Sequence, residues 1–303
     1  MNLQQLLNDP KAGRIVLRLS QSVPPTIGIP LAKLIANWIA LHSEIPLVQA
    51  IRTNQWVIQG NTCSREELDQ RLKISLFHLT ISYYLFFHYL NNPKDLQQRV
   101  DFGSKAEAFL QYPGRNKRGC IVAGLHMSYF DMVYLTAGWR GLKAVALSLP
   151  ENAENTDAAE WQNHLRRQLG LQILPANFSN MRQIVQRLRS REVVLTGIDR
   201  AIPDSKIKLN FFNHPADLPV HHIQMALMAD VPIIVITAIL DNRSRFRVLT
   251  SDSIEMQRSK DHHADIITNA EKILEIAEGF IRQAPEQWTV TQAVWPQLIS
   301  QIP

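Results

Sequence analysis

The pattern of apolar and polar positions changes texture near residue 96. Before that point the chain reads as helical throughout. Residues 26–41, TIGIPLAKLIANWIAL, are apolar except for Lys33. Residues 74–93, ISLFHLTISYYLFFHYLNNP, contain no Asp, Glu, Lys or Arg and are bounded by Lys73 and Lys94. From about residue 96 short apolar runs alternate with helical stretches. The runs at 120–125, 143–149, 171–174, 193–198, 231–240 and 245–250 predict strands. The stretches at 129–139, 158–169, 180–190, 218–228 and 266–282 predict helices. Repeated strand–helix alternation predicts an α/β domain whose mixed, mostly parallel sheet is flanked by helices. The expected organisation is a helical arm over residues 1–95 followed by an α/β domain over residues 96–303.

The two apolar stretches of the arm differ in what they predict. The 26–41 segment falls short of the roughly 20 apolar residues that span a hydrocarbon core. It predicts a helix lying in a membrane interface, with the Lys33 ammonium snorkelling to water. The 74–93 segment is long enough to span, yet Ser75, His78, Thr80, Ser82 and His88 dilute it. A buried helix of the globular domain is the leading reading. A membrane-docked aromatic face and a true span are the alternatives.

Composition narrows the classes. Hydrophobic residues make up 46% of the 303 residues and charged residues only 19%, which suits a large core with some apolar surface left exposed. Lys and Arg outnumber Asp and Glu by 32 to 27, giving a net charge of +5. An excess of that size fits attraction to an anionic membrane surface and equally a plain basic protein. With no interleaved basic and aromatic stripe, nucleic acid is not an expected partner. Cys63 and Cys120 are too far apart for a C-x-x-C site, so neither a disulfide framework nor a zinc site is expected. The first residues hold Asp9 and no long apolar core, which does not read as a cleaved signal peptide.

Candidate chemistry begins at Gly124–Asp131, where a predicted strand runs into His126 and then a helix. Ligands of α/β folds gather at the carboxyl ends of strands. On one straight helix, residues five apart differ by about 140° in direction. If His126 lies in the turn before the helix, however, Asp131 can reach back to one ring nitrogen, fix the tautomer and stabilise the imidazolium. Such a pair acts as a general base. Thr196-Gly197-Ile198-Asp199-Arg200 ends a second predicted strand, and an arginine there suits a phosphate or carboxylate. The loop beyond it offers Asn210 and His214 as further donors. The pairs His221-His222 and His262-His263 read as solvent-facing or capping residues rather than metal ligands, because adjacent helix positions diverge by about 100°. Arg115, Lys117 and Arg118 read as a solvated turn. No G-x-S-x-G, P-loop or G-x-G-x-x-G occurs.

Taken in order, these segments resemble the lysophospholipid acyltransferase superfamily, in the branch of the lipid A late acyltransferases and the phosphatidylinositol mannoside acyltransferases. The likeness rests on the helical arm, on His126-x4-Asp131 after a strand, and on Gly197-Ile198-Asp199-Arg200. It continues through Phe211-Phe212-Asn213-His214-Pro215-Ala216, Val231-Pro232-Ile233-Ile234 and Ala284-Pro285-Glu286-Gln287-Trp288, and covers roughly residues 15–295. The resemblance implies a glycerolipid acyltransferase-like fold. It implies acyl transfer from a thioester, either acyl-CoA or acyl carrier protein, to a hydroxyl of a membrane lipid or glycolipid. His126 and Asp131 are the implied catalytic pair, with Asp199 and Arg200 near the donor carrier or the acceptor headgroup; Asn210, His214 and Ser128 are read as further substrate-binding residues. No metal or other cofactor is expected. The implied location is the cytoplasmic face of the cell membrane, bound peripherally or monotopically. A non-catalytic lipid-binding protein on the same scaffold is the alternative. Three positions depart from the lipid A pattern: Asp131 where Glu is usual, Asn213 where Gly is usual, and Thr289-Val290-Thr291-Gln292 where His and Arg are usual. Asp at the first of these is the form of glycerolipid and mannoside acyltransferases.

Overall fold

The computed structural model describes residues 20–110, 118–148, 164, 166–167, 171–176, 178–202 and 205–303. Three helices open it: α1 (Pro25–Ala40), α2 (Pro46–Ile58) and α3 (Arg65–Leu90). Proline begins α1 and α2, where its missing N–H costs nothing. α3 begins with a capping box. The Ser64 Oγ accepts from the Glu67 N–H at 3.2 Å, and the Glu67 carboxylate accepts from the Ser64 N–H at 2.8 Å. Residues 74–90 of the uncharged run form the second part of α3, and its Leu76, Ile81, Tyr84–Phe87 and Tyr89 are buried. No described helix is long and apolar enough to cross a membrane.

α1 packs on α3 through its small residues. Gly28, Ala32 and Ala36 are buried with Ile39. A Cβ at Gly28 would run into the Tyr84 ring, so only glycine lets the helices approach there. Hydrogen bonds from Tyr84 Oη to the Val23 carbonyl at 2.8 Å, and from Thr80 Oγ1 to the Ala32 carbonyl at 3.1 Å, tie the pair. The large side chains of α1 therefore face outward. Leu34 is 66% exposed, Trp38 50% and Leu41, just past the helix, 76%.

After α4 (Pro93–Arg99) comes the sheet. Its strands are β1 (Val100–Asp101), β2 (Cys120–Gly124), β3 (Ala144–Ser148), β4 (Gln172–Pro175), β5 (Val193–Gly197), β8 (Ile233–Leu240) and β9 (Phe246–Thr250). Their spatial order is β1-β9-β8-β2-β5-β3-β4. All neighbours are parallel except β8 and β9. The central strands alternate between two apolar layers, as sheets covered on both faces must. Ile121, Ala123, Val194, Ile233 and Val235 pack on one side with α8 (His221–Ala229) and α9 (His262–Ile281). Cys120, Val122, Val193, Leu195, Ile234 and Ile236 pack on the other. That second layer includes α3, α5 (Gly103–Leu110) and α6 (Phe130–Trp139). Trp56, Val57, Ile58 and Leu68 of the arm lie in the first layer.

The sheet agrees with the periodicity reading, but α5, β1 and one hairpin escaped it. β1 is only two residues long. The segment around residues 210–216, read as a loop, is a hairpin of β6 (Leu209–Phe211) and β7 (His214–Ala216). Its turn holds Phe212 and Asn213 at φ 52° and 61°, the left-handed conformation of tight two-residue hairpins. No glycine signals it. Instead the Phe212 N–H donates to Glu278 at 2.6 Å, and Arg282 stacks over the Phe212 ring at 4.8 Å. Of the predicted 158–169 helix, residues 164, 166 and 167 are helical and the others lie outside the described residues, as do Arg115 and Lys117. α7 (Phe178–Arg189) matches its prediction closely.

Candidate active site

β2 and β5 are adjacent and parallel, with Gly124 paired to Gly197. His126 follows Gly124 by two residues, and Asp199 follows Gly197 by two. The register therefore brings the histidine and the second carboxylate together at the carboxyl edge of the sheet, although β3 and β4 intervene in the chain. His126 Nδ1 and Asp199 Oδ1 are 2.5 Å apart, and the His126 backbone N–H donates to Asp199 Oδ2 at 2.7 Å. The Trp288 indole N–H donates to the same Oδ2 at 2.8 Å. Asp199 is fully buried and accepts three N–H groups, while His126 is partly exposed. Gly197 is the floor under the ring, and a Cβ there would stand 2.6 Å from His126 Cε1.

This geometry corrects the expected pairing. Asp131 is in the first turn of α6 and does not hydrogen-bond His126; its carboxylate is paired with Arg166 at 3.3 Å. The Nδ1 partner is Asp199. Among the described residues Nε2 has no hydrogen-bond partner, which leaves that edge of the ring to the cleft that His126 lines.

The cleft is open to solvent, with His126 on its wall. Its polar wall includes His126, Ser128, Asp131, Arg166, Arg200 and Thr289. Its apolar wall includes Leu79, Tyr83, Phe86 and Phe87 of α3, together with Phe130. Ser128 lines the cleft but is also committed to structure, bonding the Gln287 carbonyl and Thr289 Oγ1 at 3.0 Å each. Asn210 and His214 are not among the cleft's walls. The Asn210 side chain is exposed on the hairpin while its backbone N–H donates to Glu271, and His214 meets Asn61 at 3.0 Å. Their expected role at a headgroup finds no support in this placement. His221 bonds Thr196 Oγ1 at 2.8 Å, and its neighbour His222 is buried in the α8 packing. Arg118, expected in a solvated turn, holds the Asp230 carbonyl and Glu255.

The electrostatics set two protonation states. Burial lowers the His126 pKa below its ordinary value, and the Arg200 guanidinium lowers it further, against the pull of Asp199. Burial alone would raise the Asp199 carboxyl. The imidazole and the N–H donors of His126 and Trp288 outweigh it and hold Asp199 below the usual carboxylate range. At neutral pH the pair is a neutral imidazole on an ionised carboxylate, the state in which Nε2 accepts a proton.

Sequence reasoning missed Arg166, which lay unremarked in a helical pattern. It gave Trp288 only as part of a motif. Neither the Arg166–Asp131 pair nor the Trp288–Asp199 bond joins residues near in sequence, so no local signal pointed to them.

Fold and cleft together define the class: an α/β protein with an imidazole–carboxylate pair at the carboxyl edge of a parallel sheet. The chain matches the bacterial lipid A biosynthesis acyltransferase family over residues 12–296 and belongs to it. Membership makes the protein an acyltransferase that acts on a lipid. No individual curated protein matches the chain.

Proposed function

We propose that this protein transfers a fatty acyl group from an acyl thioester, acyl-CoA or acyl carrier protein, to a free hydroxyl of a phosphorylated or glycosylated membrane lipid. The observation that carries the reading is the His126–Asp199 pair, its Nε2 edge open to a cleft with one apolar wall and two arginines. Nε2 takes the proton of the acceptor hydroxyl, whose oxygen attacks the thioester carbonyl. The carbonyl oxygen becomes an oxyanion, and Arg166 and Arg200 are the cations of the cleft that offset its charge. Collapse expels the thiolate, which takes the proton from the imidazolium. Asp199 keeps the ring in the tautomer that presents Nε2 as acceptor. Asp131, the residue first expected to orient the ring, holds Arg166 in place instead. The arginines also suit the phosphate of a headgroup, by charge-assisted hydrogen bonds.

Residues 1–95 form, in this reading, a membrane-docking arm. Ile27, Leu31, Leu34, Ile35, Trp38 and Leu41 are large, apolar and exposed, a group better matched to a bilayer than to water. α3, on which α1 packs, supplies the apolar wall of the cleft through Leu79, Tyr83, Phe86 and Phe87. A lipid acceptor thus enters from the side that touches the membrane. Binding at the cytoplasmic face follows from the donors, which are cytosolic thioesters.

The test is transfer of a labelled acyl chain from each donor to a panel of lipid hydroxyls in mixed vesicles. His126→Ala is expected to abolish transfer while circular dichroism shows the fold retained. Full activity of that variant overturns the base assignment. Vesicle binding without transfer from either donor makes the protein a lipid-binding module. Comparing the lipids of native host cells with and without the chain names the acceptor: one species disappears and one lighter by a fatty acyl group accumulates.

A further inference from the structure

We infer that Trp288 is a positioning residue for the base: its indole N–H fixes the Asp199 carboxylate that orients His126. The inference rests on the base assignment proposed above and concerns a residue that does not line the cleft.

Asp199 has two oxygens and three donors. Oδ1 faces the imidazole alone, while Oδ2 takes both the His126 backbone N–H and the Trp288 Nε1–H at 2.8 Å. Without the indole, both remaining donors of the carboxylate belong to His126 itself, and no group outside the residue being oriented fixes it. Nothing else in the surroundings of Trp288 calls for that N–H. The ring lies fully buried among Phe211, Phe212 and Trp295. Trp295, in the same cluster, leaves its own Nε1 without a partner. The cluster packs indoles for their area, and at position 288 alone the N–H meets a charged acceptor.

The backbone holds that aim. The segment around Trp288 is zipped to the loop that carries the base. Met127 and Trp288 form an antiparallel bridge. The Ser128 N–H donates to the Gln287 carbonyl at 2.7 Å, and the Thr289 N–H to the His126 carbonyl at 3.3 Å. The Gln287 side chain is itself fastened to both backbone groups of Leu240, at the end of β8. Histidine, carboxylate and indole are thus set by three separate pieces of chain locked into one frame.

The consequence is electrostatic as well as geometric. A hydrogen bond to a carboxylate spreads its charge, so removing the indole N–H concentrates charge on Asp199 and stabilises the imidazolium. The other charged groups acting on the ring, Arg200 and Arg166, stay unchanged, as do Asp131 of α6 and Tyr83 of α3 in the walls of the same cleft. The His126 pKa therefore rises when the N–H is lost.

The experiment substitutes 3-benzothienylalanine at position 288 alone, which keeps the bicyclic shape and replaces N–H by sulfur, alongside Trp288→Phe. The His126 pKa is read without substrate, by NMR of labelled histidine, and kcat, KM and the acid limb of the rate profile are read with it. In the isosteric variant the His126 pKa and the acid limb move to higher pH. Its kcat falls about ten- to hundredfold, because the less firmly held carboxylate no longer keeps the ring in the reactive orientation, with KM nearly unchanged. If the benzothienyl protein keeps the wild-type pKa, acid limb and kcat while only Trp288→Phe loses stability, Trp288 merely packs and the inference is overturned. Failure of the base assignment is separable, because it appears as full activity in His126→Ala.

Discussion

At the scale of single residues the site depends on two carboxylates with different tasks. Asp199 accepts the Nδ1–H and is the orienting partner, whereas Asp131 holds Arg166. Asp199→Asn is therefore expected to lower kcat by about 10³-fold or more, because an amide no longer imposes the productive tautomer or stabilises the imidazolium. Asp131→Asn is expected to cost less, since a neutral amide still reaches Arg166. Steady-state transfer rates of the two variants decide the ranking, and equal losses remove the distinction. The pH dependence has a definite sign. In the proposed mechanism His126 is a neutral base, so kcat/KM falls as pH drops through its pKa, which burial and Arg200 hold below the ordinary histidine value. Arg200→Gln removes a neighbouring positive charge and makes protonation easier. Its acid limb is expected at higher pH than wild type, and a limb that stays put or moves down refutes the electrostatic account.

At the scale of elements, α1 inverts the usual arrangement of an amphipathic helix. It buries Gly28, Ala32 and Ala36 and exposes its large apolar residues. A soluble surface helix buries the large residues and exposes polar ones. Leu34→Glu with Trp38→Glu is therefore expected to weaken flotation with liposomes by on the order of tenfold or more per residue. The thermal midpoint should hold, because neither side chain is buried in the fold. Undiminished flotation excludes α1 as the docking face. The hairpin of β6 and β7 shows an element held by its neighbours. Phe212 adopts a left-handed conformation that its own sequence does not favour, and Glu278 and Arg282 of the α9 region maintain it.

At the scale of the whole molecule, stability is tied to pH through histidines other than His126. Burial lowers the pKa of His78 to about 4 and of His221 to about 4, and that of His222 well below its ordinary value. An unfolded chain protonates these rings near 6.5, so between that pH and the folded values it binds more protons than the folded protein. Their contribution to stability is complete above pH 6.5 and is lost as pH falls. Each such proton contributes a slope of about 1.4 kcal/mol per pH unit. Urea midpoints are expected to decline from pH 6.5 to pH 5, a range in which most carboxylates remain ionised. His222→Leu also removes a buried Nδ1 that has no partner, and should flatten the decline. A flat profile in the wild type contradicts the burial argument.

What the sequence determined by itself is most of the elements and one half of the site. Period and length of apolar runs are local properties, so the central strands, the flanking helices and the strand end before His126 were legible from residue order. The order of motifs carried the family in the same way. The other half of the site arises from which strands become neighbours. His126 and Asp199 are 73 residues apart, and Asp199 and Trp288 are 89 apart. They meet because β5 inserts between β2 and β3, in the register that pairs Gly124 with Gly197. Spacing within one segment favoured Asp131 as partner, because a nearby carboxylate is the one that local geometry can reach. The partner was decided instead by the pairing of β2 with β5, a long-range choice made by burial of the whole sheet.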